Sequence, residues 1–336
     1  LSARAQPRST STTFPSGSRW AEFIAQYGIV LVLLAMVAAL SILSPLIRGE
    51  QFFLTSRNLL QVALQASINA IIAVGMTFVI TSAGIDLSVG SIVALAGVCA
   101  AFAMKAGAGP WVGFLVAVTV GALCGLFNGL LITRINLPPF IATLGTMGIF
   151  RGIALVISDG RPIYGFGREF LEIFAGRVGA VPIPVIVAGL VALIFWFVLT
   201  QTRLGKYTIA IGGSEETARL AGIPIDRYKM KFYALGGFLT GIAAALLTAR
   251  LSSADPTAGA FFELDAIAAV VMGGTSLTGG EGSIGGTIVG ALIISLVRNG
   301  MNLFNVQSYW QQIVIGSVIV LAVMLDQWRK GQIRRE

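Results

Sequence analysis

Histidine is absent from all 336 residues, and only 11% of the chain is charged. Without histidine, the commonest proton shuttle and the commonest metal ligand are both missing. Two cysteines remain, Cys99 and Cys124, each inside an apolar run. They read as small packing residues, not as a disulfide or a metal pair. The phosphate loop GxxxxGK[ST] is missing too. Gly205-Lys206 has neither the upstream glycine nor the following Ser or Thr, so the chain does not hold ATP by that device. No HExxH, CxxC or nucleophile elbow occurs, and with no catalytic cluster the chain is not read as an enzyme.

Apolar surface is what the chain has in excess. Hydrophobic residues make up 56% and mean hydropathy is +0.86. A soluble domain carries about 25% charged residues, and no soluble core hides this much apolar area. The expected class is therefore an all-α polytopic membrane protein. The net charge of +8 sits in loops and tails, where lipid headgroups and topology account for it rather than nucleic acid.

Apolar spans are expected at 24–46, 59–82, 88–104, 111–132, 137–158, 183–200, 232–249, 264–277, 283–304 and 310–325, about ten in all, the one at 264–277 short and glycine-ended. No small-residue cleavage site follows the first run, so it is expected to remain as a span. Residues 1–20 and 327–336 read as cytoplasmic tails around a permease domain at 21–326, with 201–231 as a charged cytoplasmic loop.

Polar residues inside the runs face protein or water, not lipid. Gln61, Gln65, Asn69, Thr77 and Thr81 lie on a ladder of fours along the second run, with Ala73 filling the gap. Each step drifts about 40° around a helix, so this row winds around the span. Asn69, Thr77, Asp86, Asn128 and Thr143 are candidate pathway residues, uncharged apart from Asp86. Each also reads as hydrogen-bonding glue between helices. Asp86 lies in GIDLSVG (84–90), where two glycines and Ser88 break the helix and the carboxylate is placed to cap the next one. Arg151 either snorkels or faces a wet cavity.

Two glycine rows suggest close helix approach: Gly121, Gly125 and Gly129 in the fourth span, and Gly282, Gly286 and Gly290 in the ninth. Five spans separate them, so the rows run in opposite directions. That suggests two inverted five-helix halves.

The charged interval holds GGSEETARLAGIP (212–224). Ser214 can cap a short helix, Glu215 and Glu216 suit its first turn, and Gly222 with Pro224 stop it. The basic residues favour one orientation. Arg4, Arg8, Arg19, Arg134, Arg203, Lys206, Arg219, Arg227, Lys229, Lys231 and the C-terminal Arg329, Lys330, Arg334 and Arg335 fall on one side. Arg48, Arg57, Lys105, Arg161, Arg168, Arg177 and Arg250 fall on the other. The positive-inside rule puts both termini and 212–224 in the cytoplasm. No relay of intramembrane acids is evident, so if the chain pumps, its energy arrives from a partner at this segment.

Several stretches carry a resemblance: NAIIAVGMTFVITSAGIDLSVGS (69–91), PPFIATLGTMGIFRG (138–152), TRLGKYTIAIGGSEETARLAGI (202–223), RLSSADPTAGAFFELDAIAAVVMGGTSLTGGEGSIGGTIVGALI (250–293) and NGMNLFNVQSYWQQIV (299–314). Over about 43–326 the chain resembles the monosaccharide permeases of bacterial ABC importers, the ribose-permease branch. The resemblance implies an inner-membrane pore subunit that pairs with a second copy or a related paralogue. It also implies a cytoplasmic ATPase that carries ATP and magnesium, a periplasmic sugar-binding protein, and no cofactor in this chain. Gly212, Gly213, Ser214, Glu215, Glu216, Ala218, Arg219, Leu220, Gly222 and Ile223 then match the loop that couples to the ATPase. Glu215, Glu216 and Arg219 would orient it, and Leu220 and Ile223 would anchor it. The rival reading is a stand-alone secondary transporter or facilitator for a small polar solute.

Overall fold

The computed structural model describes residues 19–333, and they form a bundle of helices. In chain order these are α1 (Arg19–Arg48), α2 (Ser56–Thr81), α3 (Val89–Lys105), α4 (Pro110–Arg134) and α5 (Pro139–Ser158). A side structure follows, comprising α6 (Arg168–Ala175) and the two-residue strands β1 (Arg177–Val178) and β2 (Val181–Pro182). Then come α7 (Ile183–Gln201), α8 (Arg203–Gly213), α9 (Glu215–Leu220), α10 (Ile225–Leu251), α11 (Phe262–Met272), α12 (Ile284–Leu303) and α13 (Ser308–Ile333).

Among the described residues, seven helices are long and apolar enough to cross a membrane: α1, α2, α4, α5, α7, α10 and α12. α2 and α10 have 83% of their apolar windows buried, against 6% for α1. These two most buried helices form the centre of the bundle. Small residues allow it. Gly75 of α2 meets the backbone of Gly236 of α10, where an added Cβ would sit 2.9 Å from the Gly236 Cα. α4 packs along another face of α10, with Gly121 and Gly125 against Gly237 and Gly241, and Gly129 against Met230. The second glycine row uses other partners. Gly286 and Gly290 press on the Gly273 and Ala269 carbonyls of the α11 segment, while Gly282 precedes α12 and meets the Thr81 side chain. α6 packs against α10 and α4 and lays Phe174 on α4, where it stacks on Phe114 at 4.9 Å with ring planes 3° apart.

Three boundaries differ from the sequence expectation. The apolar run at 264–277 is not one span: α11 has 11 residues, about 16 Å at 1.5 Å per residue against a hydrocarbon core of about 30 Å. Gly273 and Gly274, the latter at φ +88°, end it. Residues 273–283 then run as irregular chain, fastened where the Gly280 amide donates to the Thr81 carbonyl at 2.9 Å. The interval 201–231 is not a loop but α8, α9 and the first two turns of α10. The proposed tails are shortened as well. α1 already begins at Arg19 and α13 continues to Ile333, so only 1–18 and 334–336 of those tails lie outside the described residues.

Candidate functional site

Three features stand out, and the first is α9. Ser214 adopts extended backbone (φ −160°, ψ 109°), and its Oγ accepts the Thr217 amide at 3.2 Å, a helix N-cap. Glu215 and Glu216 fill the first turn beside the positive end of the helix. At the other end the Gly222 amide donates to Arg219 O and the Ile223 amide to Ala218 O, both at 3.0 Å, with Gly222 at φ +78°. That double bond across a left-handed residue is a Schellman stop. Both ends of this six-residue helix are therefore fixed by its own sequence. Glu215 also receives Lys229 Nζ of α10 at 2.6 Å and Arg219 Nη2 at 3.4 Å.

α9 has a buried side and an open side. Ala218 is buried, whereas Gly213, Glu216, Arg219 and Gly222 are exposed and Leu220 is 85% exposed. Ile223 is half-buried. Gly212 belongs to α8 and is buried, with no surface to offer. An added Cβ there would lie 1.8 Å from Thr81 O and 2.5 Å from Gly280 N. It is the point where α8, the end of α2 and the 279–280 turn are pressed together.

The second feature is a pair of matching turns that touch each other. After α2 the chain breaks at Ala83 (φ 59°) and reaches Asp86, whose Oδ1 accepts the Ser88 amide at 2.8 Å and the Ser88 hydroxyl at 2.6 Å. After α10 it breaks at Ser252 (φ 54°) and reaches Asp255, whose Oδ1 accepts the Thr257 amide and hydroxyl, each at 2.7 Å. Both turns carry the pattern D-x-[ST]-x-G, as Asp86–Gly90 and Asp255–Gly259. The two glycines touch: a Cβ on Gly90 would meet Gly259 O at 2.2 Å, and one on Gly259 would meet Gly90 O at 2.5 Å. Asp86 does not cap α3, because it folds back on Ser88, the residue before the helix.

Of the five pathway candidates, four are tied into this buried region or the neighbouring helix contact. Asn128 Nδ2 donates to Ser88 Oγ at 2.8 Å and approaches Asp86 Oδ1 at 3.5 Å. The Thr143 hydroxyl lies 2.9 Å from Pro139 O and 3.3 Å from Ile85 O, which Tyr233 Oη also reaches at 3.2 Å. Thr77 bonds Ala73 O and, across to α12, the Thr287 hydroxyl at 2.9 Å. Arg151 neither snorkels nor faces a cavity. Its Nη1 donates to Pro256 O and Ala258 O, each at 2.8 Å, and pins the second turn.

Asn69 is different, since it lines the third feature, an open-sided cavity of about 210 Å³ lined by residues of α2, α10, α11, α12 and α13. Gln65 stands one turn before it on α2. Across the cavity Arg298 Nη2 of α12 donates to both carboxylate oxygens of Asp265 of α11, at 2.8 and 2.7 Å. Arg250, at the end of α10, adds a second guanidinium. Two amide pairs brace the walls: Asn58 with Asn299 reciprocally at 3.1 and 2.8 Å, and Gln311 Nε2 to Asn302 Oδ1 at 2.6 Å. The sequence reading did not name Arg250, Asp265, Arg298 or Gln311 for this role. The available signal was that Asp265 and Arg298, of opposite sign, both fall in apolar runs.

The three features are joined by α10. It begins beside α9, carries Lys229 to Glu215, supplies Tyr233 to the first turn, and ends with Leu247 and Arg250 in the cavity wall. Among the described residues no group of three His, Cys, Asp or Glu side chains is placed to hold a metal ion.

Residues 58–323 match the family described as branched-chain amino acid transport system / permease component. The ribose import permease protein of Bacillus subtilis (strain 168) is 47% identical over 302 residues, 89% of this chain and 92% of that protein. The D-allose transport system permease protein of Escherichia coli (strain K12) is 43% identical over 309 residues, 92% of this chain and 93% of its own length. The L-arabinose ABC transporter permease protein of Azospirillum brasilense is 36% identical over 334 residues, 98% and 96% of the two chains. No solved structure matches the chain.

Proposed function

This chain belongs to the family of branched-chain amino acid transport system permease components, and from that premise we propose that its cargo is a monosaccharide. It is a multi-pass membrane protein, the non-catalytic permease subunit of an ABC importer, working with an ATPase and a periplasmic binding protein. The family description names amino acids, but ribose, allose and arabinose are the cargoes in the names of relatives 36–47% identical over about nine-tenths of the chain or more. At that similarity the sugar is the better-supported class. ATP and magnesium then belong to the partner ATPase.

α9 is the segment on which the ATPase acts. What supports this is its construction: a helix fixed at both ends by its own cap and stop, holding out an 85% exposed leucine. An exposed large apolar side chain on a rigid turn is the kind of anchor that fills a partner's pocket. Gly212 and Ala218 hold this segment to the bundle, while Ser214, Glu216, Arg219, Leu220 and Ile223 face the partner. Both termini and α9 are then cytoplasmic, as the basic residues favour.

The cavity lies toward the opposite end and collects sugar released by the binding protein. Two inverted halves, with about ten spans in total, are supported by the repeated D-x-[ST]-x-G turns. They follow antiparallel α2 and α10 and meet at their glycines. A second copy or a related paralogue completes the pore, with lipid around the exposed faces. The test is Leu220→Asp. Co-purification of the ATPase with the permease should fall by about tenfold or more, the scale of one lost anchor. Undiminished co-purification and uptake would remove α9 as the docking segment.

A further inference from the structure

The cavity contains polar atoms that the protein leaves without partners. Among the described residues Asn69 Nδ2, Asn69 Oδ1, Gln65 Oε1 and Arg298 Nε are buried and unbonded, and all three residues line the same space. Asn69 is only 8% exposed. Leaving such groups unpaired costs about 1–3 kcal/mol each, so a polar molecule entering the cavity, water included, gains by pairing with them. Two of these atoms are donors and two are acceptors. A carboxylate only accepts, inorganic phosphate is an anion whose oxygens mostly accept, and an ammonium only donates. A hydroxyl does both. Asp265 holds Arg298 in place through its two terminal bonds and leaves Nε free. Phe262 and Leu247 supply an apolar wall.

We propose that Gln65, Asn69 and Arg298 form a hydroxyl-recognition subsite for a neutral sugar inside the permease, with the Asp265–Arg298 pair orienting the guanidinium. The subsite rests on the sugar-permease reading and adds to it that this chain itself selects for hydroxyl groups. Its volume, about 210 Å³, equals that of about seven waters at ~30 Å³ each, enough for one small ring.

The test uses accessibility, independently of transport. In membranes carrying the full chain with Cys99 and Cys124 replaced by alanine, Ser295→Cys places a thiol in the cavity wall. Its rate of modification by a small methanethiosulfonate is measured with D-ribose, D-allose, L-arabinose, inorganic phosphate or methylammonium. At least one sugar should slow modification, phosphate and methylammonium should not, and Asn69→Leu or Gln65→Leu should each weaken protection by about tenfold. Three results overturn the subsite: no protection by any of the three sugars, equal protection by phosphate, or protection that survives both substitutions. Uptake is measured on the same membranes with the ATPase and binding protein present. Protection without uptake keeps the subsite and counts against the permease reading; uptake without protection does the reverse.

Discussion

Gly212 and Gly213 are neighbours in sequence with opposite fates. The first is wedged between Thr81 O and Gly280 N, and the second has nothing within 4 Å of where a Cβ would go. Gly212→Ala should therefore destabilise by about 1–3 kcal/mol through overpacking. Gly213→Ala should be neutral or stabilise by up to about 1 kcal/mol, since alanine suits a helix better. Thermal unfolding in detergent separates the two, and equal midpoints would mean that the α2–α8 contact is not as tight as described. The Asp265–Arg298 pair gives a second residue-scale prediction. Removing one partner, as Asp265→Leu or Arg298→Met, leaves a largely buried charge and should cost about 3–5 kcal/mol, whereas the double substitution should recover much of it. Additive losses would show that the two side chains do not depend on each other. Nothing in the sequence marks either residue as half of a pair, because they are 33 residues apart and only the fold brings α11 against α12. Asn69 was visible as a polar residue in an apolar run, but nothing local distinguished it from Thr77, which the fold spends on Thr287.

At the scale of elements, α9 was the most legible, since its signals are local. Ser214, Glu215, Glu216, Gly222 and Pro224 set its start and stop within a few residues, and the helix observed is Glu215–Leu220. α11 was the least legible. Its run stays apolar to Leu277, and hydropathy alone does not reveal that Gly273 and Gly274 break it halfway. The glycine rows announced close packing but not the partner, so similar spacing served α10 in one case and mainly α11 in the other. The D-x-[ST]-x-G repeat is inconspicuous in the sequence because its two copies differ at the x positions and only their contact makes them a pair. That contact is testable. Gly90→Ala would drive a methyl to 2.2 Å from Gly259 O, so the two turns must part. A loss of about 1–3 kcal/mol in stability is expected, together with impaired uptake. Normal uptake with an unchanged unfolding midpoint would show that the meeting of the turns is incidental.

Across the whole molecule, one helix links the ends. α10 has 27 residues, about 40 Å at 1.5 Å per residue. It is tied to α9 through Lys229–Glu215 and to the cavity through Leu247 and Arg250. In the proposed coupling, a push on α9 would reach the cavity wall along α10, which packs against both α2 and α4. The link depends on α9 keeping its shape, and Gly222 at φ +78° is where a side chain would oppose that shape. A β-branched residue there costs about 1–2 kcal/mol in the left-handed region, which asparagine tolerates better. The deciding measurement is sugar molecules taken up per ATP hydrolysed, in proteoliposomes containing the permease, its ATPase and its binding protein. With Gly222→Val, hydrolysis should continue while uptake per ATP falls several-fold, and Gly222→Asn should restore much of the ratio. An unchanged ratio in Gly222→Val would contradict the claim that α9 conveys the work of the ATPase to the cavity.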